Sequence, residues 1–201
     1  MGAGFCAADP AALRRRIEAL GYAPLQEGEQ FYLEPAAHFG MRFVISPTRP
    51  RVRTGPVSFL YEVTNTLVSD WRLAAAQYSA MFGLDPARFS AIHSERFKYD
   101  GTLTLFAPPA RLDRIELSQV NDSPSARDDG TSAMGRWAQK WGDSMYMCYV
   151  EAHDFAGVVA RLMEGGARWA PRGATTPTSA RPAPAPTPLA PGSGKPWVDT
   201  C

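Results

Sequence analysis

Three segments of the 201-residue chain repeat one local design. "DPAALRRRIEALG" runs from Asp9 to Gly21, "DWRLAAAQYSAMFG" from Asp70 to Gly83, and "DFAGVVARLMEGG" from Asp154 to Gly166. Each opens on an aspartate that can accept hydrogen bonds from the free amides of a helix start. Each closes on a glycine that can take the left-handed conformation at a helix end. Pro10 suits a first helical position. Between the caps, apolar residues fall at helical spacing: Leu13, Ile17 and Leu20, then Trp71, Ala75, Tyr78 and Phe82, then Phe155, Val158, Val159 and Leu162. A short apolar run precedes each helix: "GFCAA", "FLYEVTNTLV" and "SMYMCYVEA".

Three further strand candidates follow the second helix, at 88–97, 102–106 and 111–118, with Asp100–Gly101 as a hairpin signal. The unit therefore reads strand, helix, strand, strand, strand. The first unit is a compressed version, with "QFYLEP" and "MRFVIS" as its later strands. The expected organisation is a compressed module at 1–46, a proline-rich linker at 47–56, and a βαβββ module at 57–120. A polar connector at 121–142, read as an exposed loop through 135, leads to the start of a further module at 143–170. That module does not finish, because 171–201 is rich in Pro, Ala and Thr and favours extended chain. Relative to its own repeat the chain reads as clipped at both ends.

The formal net charge of +1 gives no global field for nucleic acid. Arg14, Arg15 and Arg16 lie beside the apolar stripe of the first helix and read as a solvated face. Cys6, Cys148 and Cys201 are far apart and lack CxxC spacing, so no disulfide framework or zinc knuckle is expected. Cys6 and Cys148 read as buried packing thiols. No apolar run has the length of a membrane span, and no signal peptide is evident, so a cytoplasmic protein without a membrane partner is expected.

One strand carries a carboxylate between apolar neighbours. In "RLDRIELSQ", Arg114, Glu116 and Ser118 share one face, while Ile115 and Leu117 take the other. Glu116 is therefore either an exposed partner of Arg114 or a group that reaches into a site.

Successive βαβββ units with Asp-capped helices resemble the vicinal oxygen chelate superfamily of glyoxalases, extradiol dioxygenases and bleomycin-resistance proteins. The resemblance is carried by "LYEVTNTLVSDWRLAAAQYSAMFGLD", "ERFKYDGTLTLFAPPARLDRIELSQ" and "MYMCYVEAHDFAGVVARLMEGGARW". It implies an α+β fold whose repeated modules form a curved mixed sheet, a cup, with helices packed outside. It also implies a divalent metal (Fe, Mn, Ni or Zn) held by a first-strand His and a last-strand Glu of each module. Glu116 stands at the last-strand position and is the candidate catalytic residue and metal ligand. The first-strand positions, seven residues before Asp70 and Asp154, hold Val63 and Met147. Val44 stands at the last-strand position of the first unit. Thus one expected ligand is kept. His38, His93 and His153 all lie off the ligand positions and read as surface or turn residues.

Strand parity with Val63 and Met147 adds Tyr61, Asn65, Tyr149 and Glu151 as cup-facing candidates for substrate binding, with Arg114 as an anion contact. Three readings stay open. The first is a cup that binds a small organic molecule without a complete metal site. The second is a metal-dependent lyase, isomerase or dioxygenase using Glu116. The third is a non-catalytic module that acts through homodimerisation at unpaired strand edges.

Overall fold

The computed structural model describes residues 2–50, 52, 55–104, 114–120, 132–167 and 199–200. β1 (Gly2–Ala7) leads into α1 (Pro10–Ala19), then β2 (Leu25–Glu27), β3 (Gln30–Leu33) and β4 (Arg42–Pro47). The same order recurs in β5 (Val57–Leu67), α2 (Trp71–Phe82), β6 (Ser90–Ser94), β7 (Tyr99–Leu103) and β8 (Arg114–Val120). Then come α3 (Ala133–Trp141), β9 (Ser144–Ala152), α4 (Phe155–Glu164) and β10 (Asp199–Thr200). The repeated aspartates act as caps: Asp9, Asp70 and Asp154 accept from the amides of Ala12, Arg72 and Gly157 at 2.8–2.9 Å. Gly83 ends α2 in the left-handed region at φ 67°.

The strands form two mixed sheets, ordered β10-β1-β4-β3-β2 and β6-β7-β8-β5-β9. In each complete unit the first and last strands pair in parallel: β1 with β4, and β5 with β8. Units one and two do not share a sheet. Instead β5 pairs antiparallel with β9, so the second unit joins the start of the third.

The two sheets meet through α1 and α2 in one core. Tyr78 of α2 is fully buried. Its ring stands edge-on to Phe43 of the first sheet at 5.0 Å. Its hydroxyl donates to the His38 carbonyl at 2.9 Å and accepts from Asn65 Nδ2, on the second sheet, at 3.0 Å. Burial raises the Tyr78 pKa, so the phenol stays a donor. Phe82 stacks on Phe5 and stands edge-on to Phe43, and Arg16 Nε donates to the Ala80 carbonyl at 2.7 Å.

Three expectations are corrected. The hairpin between β6 and β7 turns at 95–98, where Lys98 takes φ 53° and Ser94 Oγ accepts from the Phe97 amide at 3.1 Å. Gly101 instead lies inside β7, against β8. The connector contains a helix, α3, capped by Ser132, with Met134, Gly135 and Ala138 buried. Cys148 is exposed, whereas Cys6 is buried and disulfide-bonded. His38 lies in a turn, as one of its two readings has it, and is 2% exposed; burial lowers its pKa, opposed by Gln77.

The third unit is thinly packed. α4 buries none of its residues, and Phe155 and Met163 are mostly exposed. No helix among the described residues is long and apolar enough to cross a membrane.

Gly101 is fixed by close approach, since a Cβ there would lie 1.8 Å from the Leu117 carbonyl oxygen. Gly101→Ala is expected to lower stability by about 1–3 kcal/mol, the usual cost of overpacking. Gly4→Ala, whose Cβ would meet nothing within 4 Å, serves as the control. Urea midpoints of both variants test this, and equal midpoints would refute the contact.

Candidate functional site

The site follows from register. In β5 and β8, Glu62 lies opposite Arg114, Thr64 opposite Glu116, and Thr66 opposite Ser118. Alternation sends these to one face and Val63, Asn65, Leu67, Ile115 and Leu117 to the other, into the core. β7 adds Tyr99 and Leu103 to the polar face, and β9 adds Met147 opposite Thr64 and Tyr149 opposite Glu62. An irregularity in the β5–β9 register between Thr64 and Asn65 leaves Tyr146 between the paired residues Met147 and Met145. Both Tyr146 and Met147 reach the same cavity.

α3 lies over this face. Met134 and Ala138 pack with Val120, Phe97, Tyr99 and Tyr146. Ser132 Oγ donates to the Phe97 carbonyl at 2.9 Å. Trp137 Nε1 donates to Ser144 Oγ at 2.8 Å. Between helix and sheet remains a cavity of about 420 Å³. Thr64, Ser94, Phe97, Tyr99, Glu116, Ala133, Met134, Tyr146, Met147 and Tyr149 line it. A larger groove of about 940 Å³ lies between the 35–40 turn and Trp137 and Trp141. Its acid, Asp143, is already engaged, accepting from the amides of Val68 and Ser69 and from Ser69 Oγ. The smaller cavity is therefore the one with chemistry on its floor.

Glu116 is 7% exposed and faces this cavity. Its Oε2 accepts from Thr64 Oγ1 at 3.2 Å, and its Oε1 accepts from Ser118 Oγ. Its expected ion-pair partner, Arg114, is bound elsewhere. Arg114 Nε donates to Glu62, and its guanidinium lies 5.7 Å from the Tyr61 ring centroid. Glu62 is 4% exposed, and its pKa is pushed up to about 7. Burial is the main cause; the hydrogen bond with Glu116 adds to it and Arg114 opposes it. Burial, and then the charge of Glu116, raise Tyr99 as well. The floor thus sets the buried carboxylate of Glu116 beside a second one, Glu62, whose proton is held more tightly because of its burial.

The other sequence candidates fall in different places. Tyr149 lines the cavity. Tyr61 sits beside it, ring centroids 6.0 Å apart, on the Arg114 side, outside the lining. Glu151 is exposed and pairs with Phe59 on β5, away from the cavity. Asn65 points into the core toward Tyr78 and the Phe39 carbonyl. Val63 is likewise a core residue, and the cup-facing position beside it is Thr64. Parity counted from the helix cap was off by one residue in β5. Val44 is half-buried on β4, between the core residues Phe43 and Ile45. His93 is exposed and bound to Asp100 and Glu95, and His153 contacts Ser58. Glu62 was missed. Its signal was present in the sequence: in "LYEVT", Glu62 and Thr64 alternate with apolar residues as Glu116 does in "RIELS".

No protein-family model and no curated protein matches the sequence. Among solved structures, a triple mutant of 4-hydroxymandelate synthase from Streptomyces coelicolor aligns over 82% of this chain, with a TM-score of 0.58 and 19% identity. The fold is that of the vicinal oxygen chelate superfamily. The alignment spans 52% of the synthase, so this chain corresponds to about half of it. Methylmalonyl-CoA epimerase from Mycobacterium tuberculosis aligns over 59% of this chain and 71% of its own, with TM-score 0.44 and 19% identity. The bleomycin resistance determinant encoded on transposon Tn5 aligns over 60% and 97%, with TM-score 0.40 and 12% identity. At 19% identity the likeness to the synthase is one of fold.

The vicinal oxygen chelate resemblance implies a divalent metal in the cup, but the donors here do not fit one. Glu116 faces a thioether, Met147, and a hydroxyl, Thr64, where nitrogen ligands would be needed. Glu62 is held by Arg114. Among the described residues no group of three or more His, Cys, Asp or Glu side chains converges to hold an ion.

Glu62 gives a pH test. Unfolded it ionises near 4.5, folded at about 7, so within that window the folded state holds a proton the unfolded state has lost. Its contribution to stability is full below pH 4.5 and is lost as pH rises through about 7, at most about 3 kcal/mol. Glu62→Gln is expected to remove that decline. Parallel urea-denaturation profiles for wild type and variant across the window would show that another group titrates.

Proposed function

We propose that the protein binds a small organic molecule in the cavity beneath α3, without a metal ion. The observation that supports this most directly is a buried carboxylate, Glu116, backed by Glu62, in a cavity walled largely by aromatic and thioether side chains. A cavity of about 420 Å³ suits a small organic guest. Burying Glu62, Glu116 and Arg114 together costs stability relative to an apolar floor, which is expected where polar groups serve a guest rather than the fold. The fold's relatives run many chemistries on one scaffold, so the reading rests on this chain's residues.

Metal-stripped protein, melted against a library of small polar aromatics, amines and acids, tests the reading. A binder at a hundred times its Kd stabilises by about 2.7 kcal/mol. Ala133→Trp, which fills the cavity from α3, is expected to keep a cooperative melt and lose that response. Mn, Fe(II), Ni and Zn ions are expected to leave the wild-type melt unchanged. A rise with one ion, absent in Glu116→Gln, would overturn the metal-free part.

A further inference from the structure

The chemistry of the guest can be read from the same cavity, given that it holds a small molecule. Its described lining offers the rings of Phe97, Tyr99, Tyr146 and Tyr149 and the thioethers of Met134 and Met147. Glu116 is the one acid among the described lining residues, and there is no lysine, arginine or histidine among them. Arg114 is turned to Glu62 and the Tyr61 ring, and Arg96 lies over the Phe97 ring at 5.3 Å, outside the lining. Arg114 is thus spent on Glu62, and the negative charge of an ionised Glu116 faces the cavity without a cation in contact among the described lining residues. Glu116 accepts from Thr64 and Ser118 and also meets the side chains of Glu62 and Tyr99, so what it offers a guest is its charge on the cavity side.

Each class of guest meets these walls differently. An anion meets a like charge. A divalent metal finds too few oxygen and nitrogen donors. A neutral apolar guest leaves the cavity side of Glu116 desolvated without a partner. An organic ammonium ion satisfies both parts of the wall. Its charge faces Glu116, and its methyl or methylene surface lies on ring faces, whose quadrupoles attract cations most strongly where water is excluded. We propose that the cavity takes a small organic ammonium ion, a protonated or N-methylated amine, held between Glu116 and the rings of Tyr99, Tyr146 and Tyr149.

Titration calorimetry of the full chain with benzyltrimethylammonium, choline, choline's neutral isostere neohexyl alcohol, and benzoate tests this. At least one cation is expected to bind about tenfold or more tightly than the alcohol and benzoate. Glu116→Gln and Tyr146→Leu are each expected to weaken it about tenfold. Tyr149→Leu, at a partly exposed position on an edge strand, gives a ring deletion that does not threaten folding. Neutral or anionic probes binding as tightly as the cations would overturn the proposal, as would failure of every cation to bind. Binding of the alcohol or benzoate that Ala133→Trp abolishes would leave the cavity a binding site and remove only its cation preference. Loss of all Ala133-sensitive binding across these probes and the wider library would remove both.

Discussion

The parallel pairing of β5 with β8 commits two strands to opposite chemistries at once. Val63, Leu67, Ile115 and Leu117 enter the shared core, while Glu62, Thr64, Glu116 and Ser118 take the opposite face, where Thr64 and Glu116 line the cavity. A slip of one residue in either strand would carry its carboxylate into a core of phenyl rings and bring its aliphatic side chains out. The register is therefore held by the largest energies in the molecule, those of apolar burial and of charge desolvation. The core side also fixes the other sheet, because Asn65 on β5 binds Tyr78, and Tyr78 packs on Phe43. The cavity inherits its geometry from contacts made on the far side of its own floor.

The helices were legible because each is bounded by residues with one favoured job: an aspartate at the start and a glycine at the end. Glu116 was legible because a carboxylate between Ile115 and Leu117 breaks the pattern of a buried strand. The face of β5 was not. Counting back from the helix cap assumes a constant strand-to-helix connection, whereas Val68 and Ser69 intervene after β5 and His153 alone precedes the cap after β9. A difference of one residue exchanges the two faces, and so Val63 and Asn65 stood in for Thr64 and Glu62.

α3 and the β6–β7 turn were hidden for a different reason. The connector is polar, and α3 buries a single narrow stripe, so local composition outweighs it. Asp100–Gly101 carries a turn signal that tertiary contact overrides. The glycine is required there by the nearness of β8 rather than by its backbone freedom, and the chain turns at Lys98 instead. Tyr146 depends on a strand irregularity that no alternation pattern announces.

The position of Trp137 has an optical consequence. Its indole stands edge-on to Tyr146 at 5.5 Å and 6.0 Å from Trp141, while Tyr146 itself forms part of the cavity wall. Energy absorbed by the phenol passes readily to an indole at that range, and the emission of an indole responds to the polarity and hydrogen bonding around it. The molecule thus carries a fluorophore against the outer side of its own cavity wall. Displacement of Tyr146 by a guest would register as a change in ultraviolet emission, with no label attached.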